Sequence, residues 1–251
     1  MALFKSGNPA LGEKAFSQTY TVYGDEAMTV KGTLNKFGIL FLLTMATAGL
    51  AWKMFYSNVD VTTYMWVSVF GGLGIAFIMA FKMSLAPYLA PVYALVKGFA
   101  VGAISAYYNF AFEKVAPNII TQAVALTFGV VIAMFLLYRF NIIKATPIFK
   151  KIIITATVGI AVFYLIAIGL HFANINIPFL HEGSTFGIIF SLVVVALAAM
   201  NLILDFDLIE NGSKMGAPKY MEWYGAFALL VTIIWLYFEI LKLLSKLAKR
   251  D

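Results

Sequence analysis

Seven apolar runs follow one another along the chain from residue 34 to residue 244, and polar or turn-forming residues part each from the next. They lie near Leu34–Phe55, Tyr64–Phe81, Pro91–Phe112, Ile119–Tyr138, Ile152–Phe172, Thr185–Leu208 and Trp223–Leu244. A helix that crosses a bilayer needs roughly 20 largely apolar residues, so each run is expected to be one spanning helix. The breaks carry turn chemistry: "YSNVD", "APYLAP", "KVAPN", "NIIKATP", "ANINIPFLHEGS" and "ENGSKMGAPK". Connections this short predict an all-α polytopic membrane protein, about seven transmembrane helices in one bundle. A polar N-terminal arm, residues 1–32, precedes a transmembrane domain over 33–251.

Composition agrees with the pattern. Hydrophobic residues make up 62% of the 251 and charged residues 12%, with mean hydropathy +0.90, whereas a soluble domain carries about 25% charged residues. There is no cysteine, which excludes a disulfide framework, a thiolate metal site and a Cys nucleophile. The net charge of +6 does not point to nucleic acid, because the cations sit mostly at the ends of apolar runs, where they orient the chain and meet lipid headgroups. The first 27 residues are mixed and polar, without the apolar stretch of a cleavable signal.

Cations set the expected orientation. Lys5, Lys14, Lys31 and Lys36 lie at the N-terminal end, and Arg139, Lys144, Lys150 and Lys151 lie between the fourth and fifth runs. The connection 173–184 has none. Both basic regions are therefore expected in the cytoplasm. Seven spans would then put the tail outside, although Lys242, Lys246, Lys249 and Arg250 make it basic. Either one segment is re-entrant or the tail is an exception to the rule. "VFGGLG" and "KGFAVGAIS" space small residues for close helix packing.

Ionisable residues inside the runs are the candidate chemistry, because such groups are expensive in a bilayer and face a partner, water or the protein interior. Lys97 lies about seven residues into the third run, ~10 Å deep, a distance over which a lysine can snorkel. Asp205 follows an uncharged stretch from Thr185 to Leu204, and Asp207 comes two residues later. Two residues turn a helix by about 200°, so these acids cannot share a face. Asp205 is the deeper of the two and the better interior group; Asp207 is expected nearer the interface. Lys97 and Asp205 fall in the same leaflet, which permits an ion pair. Glu239 lies well inside the last run, with Lys242 three residues on, a spacing that allows a pair along one helix face. His171 and His181 match no zinc spacing, and "GGLG" lacks the strand, helix and Lys-Ser/Thr of a phosphate loop. Neither a catalytic constellation nor a set of metal ligands is visible.

The order of several segments resembles the bacterial branch of the Bax-inhibitor/YccA-like membrane proteins. They are "SGNPAL", "MTVKGTLNK", "YALVKGFAVGAIS", "NLILDFDLIENG" and "APKYMEWYGAFALLVTIIWLYFEILKLL", and together they extend over nearly the whole chain. The resemblance implies seven helices around a central last helix. It also implies a pH-sensitive calcium leak in the bacterial cytoplasmic membrane, with no cofactor and Ca2+ as the permeant ion. Paired acids of the sixth and last helices would act there as the switch, and by position "LDFD" offers Asp205 and "LYFE" offers Glu239. This chain has Glu rather than Asp in the last helix, and a longer connection between the two positions; Asp205–Lys97 and Asp205–Asp207 are the alternative pairings. The other activity implied is non-transporting: binding and modulating a membrane-embedded AAA protease, with the polar arm available for docking.

Overall fold

A computed structural model describes residues 27–173 and 183–249, without the side chains of His171 and Phe172. Most of the polar arm with its "SGNPAL" segment, His181, most of the fifth connection and Arg250 lie outside the described residues, as does the His171 side chain. Seven helices are described, each long and apolar enough to cross a membrane: α1 (Val30–Tyr56), α2 (Thr62–Phe81), α3 (Ala86–Phe112), α4 (Ile119–Arg139), α5 (Pro147–Phe172), α6 (Thr185–Lys214) and α7 (Met221–Ala248). A 3-10 turn, Met83–Leu85, leads into α3. The fold is all-α and polytopic. Over their most apolar stretches α6 and α7 are each 56% buried, against 6% for α5.

Three boundaries differ from the sequence reading by five residues or more, each for a local reason. α3 starts five residues before Pro91, because Pro87 falls in the first turn, where an N–H has no intrahelical acceptor anyway. Pro91 then sits inside the helix, which membrane helices tolerate. α5 starts at Pro147, a residue preset for the first helical position, and the Thr146 hydroxyl accepts from the Phe149 N–H at 3.2 Å. α6 does not end at Leu208 but runs through both aspartates to Lys214.

Three helices stop in the same way. Asn58, Asn141 and Gly216 have φ of 57°, 57° and 65°, the left-handed conformation that reverses a chain after a helix. At each stop two backbone bonds close the end: Val59 to Met54 with Asn58 to Phe55, Ile142 to Leu137 with Asn141 to Tyr138, and Ala217 to Gly212 with Gly216 to Ser213. These are Schellman closures, and they satisfy carbonyls the helix leaves open. Before α2 the exposed Asp60 carboxylate accepts from the Thr62 N–H at 2.9 Å, which holds its carboxyl below the usual range.

The described residues group into two compact units. One comprises those up to Tyr107 with Asp205–Val231; the other comprises those of Tyr108–Leu204 and Thr232–Asp251. In the first, α1 and α3 meet backbone to backbone. A Cβ at Gly102 would lie 2.1 Å from the Ala48 carbonyl oxygen, and one at Gly98 2.3 Å from that of Thr44. The Thr44 hydroxyl, 2.9 Å from the Leu40 carbonyl of its own helix, also reaches the Ala94 carbonyl of α3 at 3.3 Å. Small residues at this spacing are what let two membrane helices come so near.

The same unit ties the start of α1 to the start of α7. Thr29 caps α1, its hydroxyl accepting from the Gly32 N–H at 2.9 Å. In a capping box the third helical residue is Glu or Gln, and its side chain returns to the cap N–H. That residue here is Gly32, and the carboxylate comes from Glu222 of α7, which accepts from Thr29 N at 2.9 Å and from Thr29 Oγ1 at 2.8 Å. A Cβ on Gly32 would lie 2.1 Å from Glu222 Oε1, so the missing side chain makes the space the carboxylate fills. Lys36 and Lys219 (3.0 Å) pair with the same fully buried carboxylate, and Met28 N bonds Ala217 O at 2.7 Å beside it.

Two stability measurements on the detergent-purified protein check this packing. Gly102→Ala is expected to lower unfolding stability by about 1–3 kcal/mol through overpacking, whereas Gly74→Ala, with nothing within 4 Å of its Cβ, leaves it unchanged. Glu222→Ala is expected to remove roughly 2–4 kcal/mol, as loss of one partner of a buried ion pair and of a cap does. Gly32→Glu should recover part of that loss when combined with Glu222→Ala and destabilise when made alone, because two carboxylates cannot occupy one place.

Candidate functional site

In the second unit two buried ionisable side chains, Glu239 and Lys246, and the half-buried Lys242 lie on one face of α7. Glu239, Lys242 and Lys246 are spaced three and four apart, so they line up along the helix. Glu239 is 1% exposed. The Tyr164 hydroxyl of α5 lies 3.1 and 3.0 Å from its two oxygens, and Lys242 Nζ lies 3.0 Å from Oε1. Lys242 also sits over the Tyr164 ring, 4.5 Å from its centroid. One phenol and one ammonium thus hold the carboxylate, and they touch each other as well. A proton arriving on Glu239 would remove the charge that Lys242 balances, while the remaining carbonyl oxygen could still accept from Tyr164.

One turn further on, Lys246 is 3% exposed. It donates to the Gly187 carbonyl at 3.0 Å and to Ser191 Oγ at 2.9 Å, both in the first turns of α6. The end of α7 and the start of α6 therefore lie together. Elsewhere in this unit Asn201 of α6 reaches Thr157 of α5 at 2.8 Å. Ile153, Leu197 and Leu204 form an apolar core with Trp235 packed against it.

In the first unit Asp205 is buried and Asp207 half-buried, which is what their opposed directions on α6 require. The Tyr224 ring of α7 lies within electrostatic reach of Asp205. Lys97 is half-buried with its stem along Gly72 of α2, where a Cβ would lie 2.9 Å from Lys97 Cε. Among the described residues Lys97 forms no ion pair.

Sequence reasoning passed over four of these side chains. Tyr164 stands in an unbroken apolar run and gives no signal of its own. Tyr224 and Lys246 look like an interfacial aromatic and a tail cation. Glu222 was the most accessible of the four, since an acid in the first turn of a helix complements the helix dipole, but its partners 186 and 193 positions away could not be read. Among the described residues no group of three or more His, Cys, Asp or Glu side chains could hold a metal ion.

Comparison with curated proteins and with solved structures gave no match. A family model described as Bax inhibitor 1 like matches residues 8–249. The seven apolar helices make the chain an integral membrane protein, and a match that leaves only the extreme ends of the sequence outside it means that the protein belongs to the Bax inhibitor 1 like family.

Proposed function

We propose that this protein is a pH-sensitive cation leak, with Ca2+ as the permeant ion, gated by protonation of carboxylates inside its membrane-spanning helices. The observation that carries the reading is Glu239, a carboxylate 1% exposed within a spanning helix and held by Tyr164 and Lys242. The stripe it belongs to contains one acid and two ammonium groups, Lys242 and Lys246, with Lys249 within electrostatic reach of Lys246. Ionised, Glu239 offsets one of those cations; protonated, it leaves both facing any permeating ion. Deprotonation is therefore the direction that favours cation passage. Asp205, buried in the other unit with Tyr224 near it, is the second acid of the switch.

The protein is read as residing in a bacterial cytoplasmic membrane with its N-terminus in the cytoplasm. The cations of the 139–151 region support this. The basic tail does not oppose it, because Lys242 is engaged with Glu239 and Lys246 is buried against Gly187 and Ser191. Loop cations count toward orientation because they would have to cross the bilayer bare. Lysines already engaged inside the protein carry less of that weight.

In liposomes containing the purified protein, Ca2+ efflux is expected to rise as pH is raised. Glu239→Gln and Asp205→Asn should each flatten that dependence and lower the flux several-fold. Flux indifferent to pH and to both substitutions overturns the leak. It would favour the non-transporting reading, in which the protein binds and modulates a membrane-embedded AAA protease, to be sought by crosslinking in native membranes. Orientation has its own test, made simple by the absence of native cysteine. Val59→Cys should react with an impermeant maleimide added outside intact cells, and Ser84→Cys, exposed in the α2–α3 connection, only after permeabilisation; the reverse result inverts the assignment.

A further inference from the structure

The connection between α4 and α5 is built rather rigidly for a loop. Asn141 closes the end of α4 with two backbone bonds of 2.9 and 3.0 Å, and Thr146 with Pro147 opens α5 three residues after Ile143. What this frame presents is unusual for a solvent-facing turn. Phe140, Ile142 and Ile148 are 69%, 68% and 74% exposed, while Arg139 just before them and Lys144 among them are exposed as well. After a Schellman closure the residue in the place of Ile142 commonly packs back onto its helix; here it points away.

Among the described residues these cations meet no acid. No Asp or Glu occurs between Glu113 and Glu182, and among the described residues Arg139 and Lys144 form no ion pair. Two cations near other helix ends are held: Lys214 by Glu210 at 2.5 Å and Lys219 by Glu222 at 3.0 Å. The hairpin joins two membrane helices, so its large apolar side chains and its cations stand where the acyl region gives way to phosphate. Aromatic and aliphatic side chains suit the first layer and Arg and Lys the second.

We propose that the α4–α5 hairpin is a binding surface for anionic phospholipid, with Arg139 and Lys144 on the headgroup phosphate and Phe140, Ile142 and Ile148 in the glycerol–acyl boundary. The anionic headgroup is the complement of an acid-free basic turn, and the exposed apolar side chains distinguish a lipid from a soluble phosphate.

Full-length protein, purified and stripped of lipid, is offered phosphatidylglycerol or phosphatidylcholine of identical acyl chains, and retained lipid is counted by native mass spectrometry. Phosphatidylglycerol is expected to be retained over phosphatidylcholine, and Arg139→Gln with Lys144→Gln to weaken that preference by roughly tenfold, given the contribution of a surface cation at an anionic membrane. The charge-keeping pair Arg139→Lys with Lys144→Arg should preserve it, and far-UV circular dichroism confirms that both double variants keep their helices. Equal retention of the two lipids, or an undiminished preference in the Gln pair, overturns the assignment. Full competition by sn-glycerol 3-phosphate, which has no acyl chain, overturns it in favour of a free phosphate site.

Discussion

Inside a bilayer no water is available to a backbone N–H or C=O, and each one left unpaired costs several kcal/mol. The helix ends carry that burden here. Carbonyl ends are closed three times by a residue in the left-handed conformation, Asn58, Asn141 and Gly216. The amide end of α1 is closed by a carboxylate from another helix. Glu222 lies at the N-terminal end of two helices at once, the first turn of α7 and, through Thr29, the cap of α1. Both dipoles favour its negative charge, and Lys36 and Lys219 balance it. Without Gly32 the carboxylate would have no room, so a glycine near the start of the sequence and a glutamate near its end are one device.

Much of this was legible in the sequence, and the exceptions are instructive. Seven helices followed from seven apolar runs, because length and hydropathy are local properties. The glycines of "KGFAVGAIS" signalled a close contact, and Gly98 and Gly102 make one with α1; the partner helix could not be named because nothing local specifies it. Helix ends were less legible where a turn-forming residue lies inside a helix. Pro91 and Gly212 look like stops, yet α3 passes through the first, and α6 continues past the second to Lys214. Spacing gave Glu239 with Lys242, a contact three residues long. Tyr164, 75 positions from Glu239, was beyond it.

A buried carboxylate can serve as a fastening or as a switch, and the partners decide which. Glu222 meets two ammonium groups, a hydroxyl and a backbone N–H. Removing its charge would strand several donors together. Glu239 meets one ammonium and one phenol, and Tyr164 can donate to a protonated acid nearly as well as to an ionised one. Lys242 is 38% exposed at its side chain and can turn to solvent or headgroups. Glu239 thus leaves fewer donors stranded than Glu222 does when its charge is removed.

The extension of α6 bears on the other acid. Had the helix ended at Leu208, Asp205 and Asp207 would both have stood within its final turn, open to water through a fraying end. Instead the chain continues helically to Lys214, which leaves Asp205 about 14 Å from the end of the helix. Exposure rises along that distance: Asp205 is buried, Asp207 half-buried, the Glu210 side chain 40% exposed and that of Lys214 66%. The later acids and the lysine thus meet the interface in turn, Glu210 and Lys214 as an ordinary i,i+4 pair worth a few tenths of a kcal/mol. Of these four charged side chains of α6 only Asp205 is buried, so it alone bears the cost of a charge-bearing group held away from water.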